Sequence, residues 1–152
     1  MLLNQTLDVE EGREAAKRLG HLGEPGVQPL LAMFEGDKQD GSAVEPAAER
    51  ALVEMGDYAT EPLHEAVNDK NWHLRFYAID VLGQRKDDTA VEMIIGCLSD
   101  ENLAIRRIAA QSLGEIGDPR AIEPLRDAIR TDGVEAFRDD ARDALNKIED
   151  GR

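Results

Sequence analysis

The sequence predicts an all-α protein: a right-handed α-solenoid of about four and a half helix–turn–helix repeats, nine helices in total. Three observations carry this expectation. Five segments align on Leu19, Leu52, Leu82, Leu113 and Leu145, spaced 33, 30, 31 and 32 residues apart, and self-similarity at such a period marks stacked repeat units. An alanine stands four residues before each leucine (Ala15, Ala48, Ala78, Ala109, Ala141), and an acid stands five after it (Glu24, Asp57, Asp87, Asp118, Asp150). Aromatics make up only 4% of the chain, so the core must be built from Leu, Ile, Val and Ala. No stretch alternates with period two for long enough to form a strand.

The first half of each repeat reads as an amphipathic helix. Eight residues before the leucine stand Val44, Leu74, Ile105 and Phe137, and three after it stand Leu22, Met55, Arg85, Ile116 and Ile148. These offsets fall on one face at 3.6 residues per turn. The small alanine marks a close helix–helix approach. Gly23, Gly56 and Gly117 end these helices, and the acids that follow suit the next N-cap. A second apolar segment comes next, in Val27-Leu30-Phe34, Leu63-Ala66-Val67, Val91-Ile94-Leu98 and Ile122-Leu125-Ile129. Pro29, Pro62 and Pro124 lie near its first turn, where a missing N–H costs little. Asp69, Asp100 and Asp132 punctuate the other turn. The expected organisation is one repeat domain over 1–152, with repeats near 8–37, 40–68, 69–99 and 100–131. A capping helix over 133–150 shows one apolar stripe (Val134, Phe137, Ala141, Ala144, Leu145, Ile148) and is otherwise polar.

Residues 101–129, ENLAIRRIAAQSLGEIGDPRAIEPLRDAI, resemble the short HEAT-like repeat named after phycocyanobilin lyases. Residues 69–98 match through Trp72, Arg75, Ala78, Leu82-Gly83 and Asp87, and 43–67 and 12–34 match through their Ala, Leu, Gly and Pro-Leu. The resemblance implies a scaffold in which second helices line the concave side. It also suggests an alternative role as an accessory or chaperone-like partner of an enzyme, in the manner of bilin lyase subunits. The ankyrin signature appears once, at Thr60 to Ala66, and is absent from the other copies.

With 18 basic and 32 acidic residues the net charge is -14. That opposes non-specific binding to nucleic acid or anionic lipid, both of which require a basic surface. The chain has five lysines and a large acid excess, which fits either a salt-adapted surface or an ordinary acidic protein. No apolar run approaches the roughly 18 residues of a membrane span, and Met1-Leu2-Leu3 does not read as a signal peptide; the expected location is the cytoplasm. A lone Cys97 leaves no internal disulfide and reads as a small buried hydrophobe.

No catalytic, cofactor or metal constellation is expected. His64-Glu65 is a single His-Glu pair, where the HEAT-like deoxyhypusine hydroxylases use four to hold two irons. Arg75, Arg106 and Arg138 share a column seven before the leucine, beside the ladder of Asp57, Asp87 and Asp118; these are expected to be structural salt bridges between repeats. On the second helices the most outward column reads Gln28, Glu61, Glu92, Glu123, its neighbour one turn on Ala32, Glu65, Gly96, Asp127, and a flanking column Leu31, His64, Ile95, Arg126. The concave side is therefore expected to show an acidic ladder with apolar spots at Leu31, Met93 and Ile95. It serves either as a groove for a protein partner with a basic surface or simply as solvation. Phe76 is placed opposite the core stripe, and with Trp72 and His73 it forms a second candidate patch, for a partner or weak self-association. The resulting expectation is a non-catalytic protein–protein interaction scaffold, monomeric or weakly dimeric.

Overall fold

The computed structural model describes residues 9–35 and 45–151. Val44, expected in the core, and the junction between the first two repeats lie outside the described residues. The described residues form nine α-helices and no strand, which is the α-solenoid class the sequence predicts. The chain divides into two compact units, Met1–Pro62 and Leu63–Arg152.

The first unit holds α1 (Val9–His21), α2 (Glu24–Ala32) and α3 (Glu45–Glu54), followed by a 3-10 turn over Gly56–Ala59. Helix α4 (Thr60–Ala66) spans the division. In this unit α1 packs on both α2 and α3. Its core is made by Ala16, Val27, Leu30, Phe34, Ala48 and Leu52, all at most 1% exposed. Ala16 is buried while Ala15 and Leu19 are only partly so. The aligned column is thus displaced by one residue in α1, about 100° around the helix.

The second unit holds α5 (Trp72–Gln84), α6 (Val91–Cys97), α7 (Leu103–Ile116), α8 (Ile122–Thr131) and α9 (Glu135–Asp150), with 3-10 turns over Asp88–Ala90 and Pro119–Ala121. Helix α7 stacks between α5 and α9, while α6 packs on α7 and α8 on α9. Leu82, Ile94, Ile105, Leu113, Leu125 and Phe137 are fully buried. Leu145 is partly exposed and leaves the core of α9 to Phe137, Ala141, Ala144 and Ile148.

Two backbone features explain why first helices stack so closely and turn so regularly. Glycine follows the aligned leucine at Gly20, Gly83 and Gly114. A Cβ at Gly83 would lie 2.6 Å from Ser112 Cβ, and one at Gly114 would lie 2.9 Å from Ala144 Cα. Ser112 uses the same approach to donate its hydroxyl to Ile79 O at 3.1 Å, satisfying a buried polar group. Four residues after the first four leucines the backbone is left-handed, at Gly23, Gly56 and Gly117, and at Lys86 with φ 52°. This turns the chain out of one helix and into the next.

A carboxylate ladder and two grooves in the second unit

The ladder arginines lie on the first turns of their helices and reach back over the loop that feeds them. Arg75 Nη1 donates to Asp69 O at 2.9 Å, Arg106 Nη1 to Asp100 O at 3.1 Å, and Arg138 Nη1 to Asp132 O at 3.1 Å. The same guanidinium groups then reach the next repeat. Arg75 Nη2 lies 3.2 Å from Asp100 Oδ1, and Arg106 Nε lies 3.1 Å from Asp132 Oδ2. Each aspartate also accepts a backbone N–H two residues on: Asn71 to Asp69 at 2.7 Å, Asn102 to Asp100 at 2.9 Å, Val134 to Asp132 at 2.8 Å. Asn71 and Asn102 go on to cap α5 and α7 through His73 N and Ala104 N. Arg106 additionally sits 5.7 Å over the ring of Phe137. In the last repeat Arg138 turns instead to Glu135 on its own helix.

This corrects the acid column expected to partner the arginines. In the column of Asp57, Asp87 and Asp118, the last two stand twelve residues after Arg75 and Arg106, at the opposite end of a helix, about 18 Å away. Two of them cap 3-10 turns: Asp87 Oδ1 accepts from Thr89 N at 3.0 Å and Asp118 Oδ1 from Arg120 N at 2.8 Å. Asp57 is exposed within its turn. The Arg120 guanidinium, bonded to Asp118, holds that carboxyl below the usual carboxylate range. The Asp-x-Asn spacing at Asp69-x-Asn71 and Asp100-x-Asn102 was the available signal for the true partners.

The outward face of the second helices carries Glu61, Glu65, Glu92, Glu123 and Asp127, all exposed as expected. In the second unit arginines interleave with them. Arg120 lies 3.7 Å from Glu92, Arg126 bridges Glu123 and Glu149 at 2.6 Å each, and Arg130 pairs with Asp127. The acidic ladder is therefore partly neutralised, and hydrogen bonding to Glu123 holds the Arg126 guanidinium above its ordinary range.

Two grooves open on this face in equivalent register. One, about 580 Å³, lies between the ends of α4 and α6 and has Val67, Met93, Gly96 and Cys97 among its lining. The other, about 600 Å³, lies one repeat on and includes Ile95, Pro124, Asp127, Ala128 and Phe137. Asp100 borders both. Burial, with the nearby Asp100 charge adding and Arg75 opposing, pushes the Cys97 thiol up to about 11. At neutral pH it is therefore a protonated, unreactive side chain.

Met93, Ile95 and Asp127 thus line grooves, whereas other expected site residues do not reach an open surface. Leu31 is buried at 5% exposure, because the apolar stripe of α2 widens to Gly26, Val27, Leu30 and Leu31. His64 is drawn against the following repeat, its Nε2 lying 3.6 Å from Asp87 Oδ2 and 3.4 Å from Thr89 Oγ1. Phe76 is half-buried rather than solvent-facing, with its ring edge-on to Tyr77 at 5.3 Å. Long helical side chains lean back over the preceding turn, so an outward Cα does not leave the ring in water. Of that patch Trp72 is the exposed member, at 41%, with its ring centroid 3.8 Å from that of half-buried His73. The exposed Tyr58 and Leu103 were not singled out by sequence. Among the described residues no cluster of His, Cys, Asp or Glu could hold a metal ion, and no helix is long and apolar enough to cross a membrane.

Comparison with known proteins places these features in a family. A model of HEAT repeats matches residues 60–146. An engineered protein solved by the Northeast Structural Genomics Consortium is similar in fold, with a TM-score of 0.52 at 17% identity, covering 95% of this chain and 75% of the other. No curated protein matches. The family model spans more than half of the chain, which belongs to the HEAT-repeat family.

Proposed function

We propose that this chain is a non-catalytic interaction module that docks a protein partner on the second-helix face of residues 63–152. HEAT repeats generally serve as protein-interaction scaffolds, and the observation that carries the reading here is the pair of grooves in equivalent register. Each sets a few apolar side chains among a largely polar, carboxylate-bearing lining, a concave mixed surface suited to recognition. The partner's contact surface is basic, complementing the carboxylates. An accessory role beside an enzyme would use the same surface and needs no catalytic group on this chain.

The test is a photo-crosslinking amino acid placed at Gly96 or Asp127, compared with one at exposed Asp143 on α9, in lysate of the native host. Adducts formed from Gly96 and Asp127 but not from Asp143 support the reading. Equal yields from all three positions, or none, overturn it.

A further inference from the structure

Resting on that reading of the face, we infer that the two grooves take one continuous polyproline-II segment carrying basic side chains three residues apart. The geometry supplies the spacing. Helices α5, α7 and α9 stack successively, and packed helices lie about 8–10 Å apart, which sets the pitch from groove to groove. A polyproline-II chain rises about 3.1 Å per residue with three residues per turn, so side chains at i and i+3 emerge on one side about 9 Å apart. A β-strand places i and i+2 on one side at only about 7 Å and sends i+3 to the other.

The polar lining favours an exposed backbone over a helix. Asn68, Ser99 and Thr131 occupy one column, one per repeat, each exposed at the end of a second helix and each lining a groove. They offer hydrogen bonds at the repeat pitch, Thr131 as an acceptor since its hydroxyl donates to Asp127 O at 2.9 Å, to a partner whose peptide groups are open to solvent, as in polyproline II. A helical partner hides its peptide groups within its own turns.

The charge selects a cationic occupant. Five carboxylates line the two grooves (Asp69, Asp100, Glu101, Asp127, Asp132), against Lys70, Arg75 and Arg106; Asp100, Asp132 and Asp127 already pair with Arg75, Arg106 and Arg130, and Glu101 and Asp69 supply the remaining acid. The aliphatic stem of an arginine or lysine covers the apolar side chains of the groove while its head meets the carboxylates.

The probe is a fluorescently labelled peptide of repeated Pro-Pro-Arg triplets, titrated by anisotropy at low salt against the full chain. Expected is saturable binding, weakened about tenfold or more, the scale of one lost charge-assisted contact, when arginine is replaced by glutamate or moved to a two-residue spacing. Gly96→Trp fills one groove where an added Cβ meets nothing within 4 Å, and Asp127→Arg reverses charge at the other. Each is expected to weaken the triplet peptide about tenfold with an unchanged helical circular dichroism spectrum. Equal affinity for the glutamate peptide, stronger binding of a helical peptide with arginines seven apart, or wild-type affinity in folded Gly96→Trp overturns the inference. Crosslinks from Gly96 and Asp127 without triplet binding sink only this inference, whereas loss of the crosslinks sinks the docking face itself.

Discussion

The two compact units share the hydrophobic grammar of the repeat and differ in its polar grammar. Both bury an alanine and leucine column and both turn on left-handed residues. Among the described residues the ladder runs through the second unit, where Arg75, Arg106 and Arg138 join loop carbonyls and the first two also reach the aspartate of the following repeat. At the same position the first two repeats have Gly12 and Glu45, and where Asp69, Asp100 and Asp132 stand they have Thr6 and Gln39. The family match, over 60–146, falls almost wholly on the laddered unit. Apolar burial specifies helical hairpins in both units, while directional charge-assisted bonds fix the register of one hairpin on the next.

The largest expected effect comes from the close helix contacts. Gly114→Val drives a side chain into the backbone of α9 at Ala144 and should cost about 3 kcal/mol, the upper range of overpacking. Gly20→Ala meets only the Ala51 methyl at 3.1 Å, and the helix-propensity gain of about 1 kcal/mol over glycine offsets the crowding. Urea denaturation of the two variants measures the difference. A Gly114→Val protein as stable as wild type would mean that the first helices of the second unit have slack.

Removing a rung comes next. Arg106 and Asp132 have side chains only 16% exposed, so Arg106→Met leaves a carboxylate short of its cation and Asp100 O short of a donor. The expected loss is about 2 kcal/mol, read from the same denaturation curves. The converse substitution, Glu45→Arg, introduces the cation in the first unit without the aspartate of the repeat pattern and removes the first-turn acid of α3, so it is expected to bring no gain in stability. A comparable gain from Glu45→Arg would show that the arginine stabilises by itself and that the acid column is incidental.

How much of this was legible in sequence follows the same division. The leucine period and the alanine column are local signals repeated five times and the glycine turn three times, and they specify the fold class. The ladder was half legible: the arginine column stood out, but the acid column adjacent in the alignment is remote along the helix axis, and choosing between acids requires the direction in which the arginine reaches. Side-chain reach also misled at Phe76 and His64, where angular position predicted exposure but the ring and the imidazole fold against neighbouring groups. The grooves were legible only as separate residues such as Met93, Ile95 and Asp127. Their volume arises from how α6 and α8 end beside the loops into α7 and α9, and helical periodicity does not encode that.

A smaller effect tests the turn that both units share. Lys86 is the non-glycine member of the left-handed column, at φ 52°. An L-residue is strained there by about 1–2 kcal/mol, and the greater unfolded-chain entropy of glycine recovers part of the difference. Lys86→Gly is therefore expected to stabilise the protein by about 1 kcal/mol, visible as a rise in Tm. An unchanged or lowered Tm would show that the lysine side chain makes compensating contacts.

The smallest expected effect is on pH dependence, and it would set the end of the second unit apart from its interior. Asp118 is held below the usual carboxylate range by its hydrogen bond to the Arg120 side chain, then by the Arg120 backbone N–H. Glu135 is held low by hydrogen bonds to Arg138 and then Arg142. A carboxyl whose folded-state value is depressed binds its proton more readily in the unfolded chain. Its stabilisation is therefore complete at neutral pH, begins to fade below about pH 4, where unfolded carboxyls protonate, and is lost once the folded carboxyl protonates too. Asp118→Asn should accordingly lower Tm slightly at pH 7 and converge with wild type in acid. Glu135 and Arg120 are exposed and Asp118 is half-buried at the surface, so water screens the pairing, and the separation between the curves should be small and should shrink with added salt. A separation that widens as the pH falls would mean that Asp118 acts through the shape of its turn, which asparagine cannot reproduce, rather than through its charge.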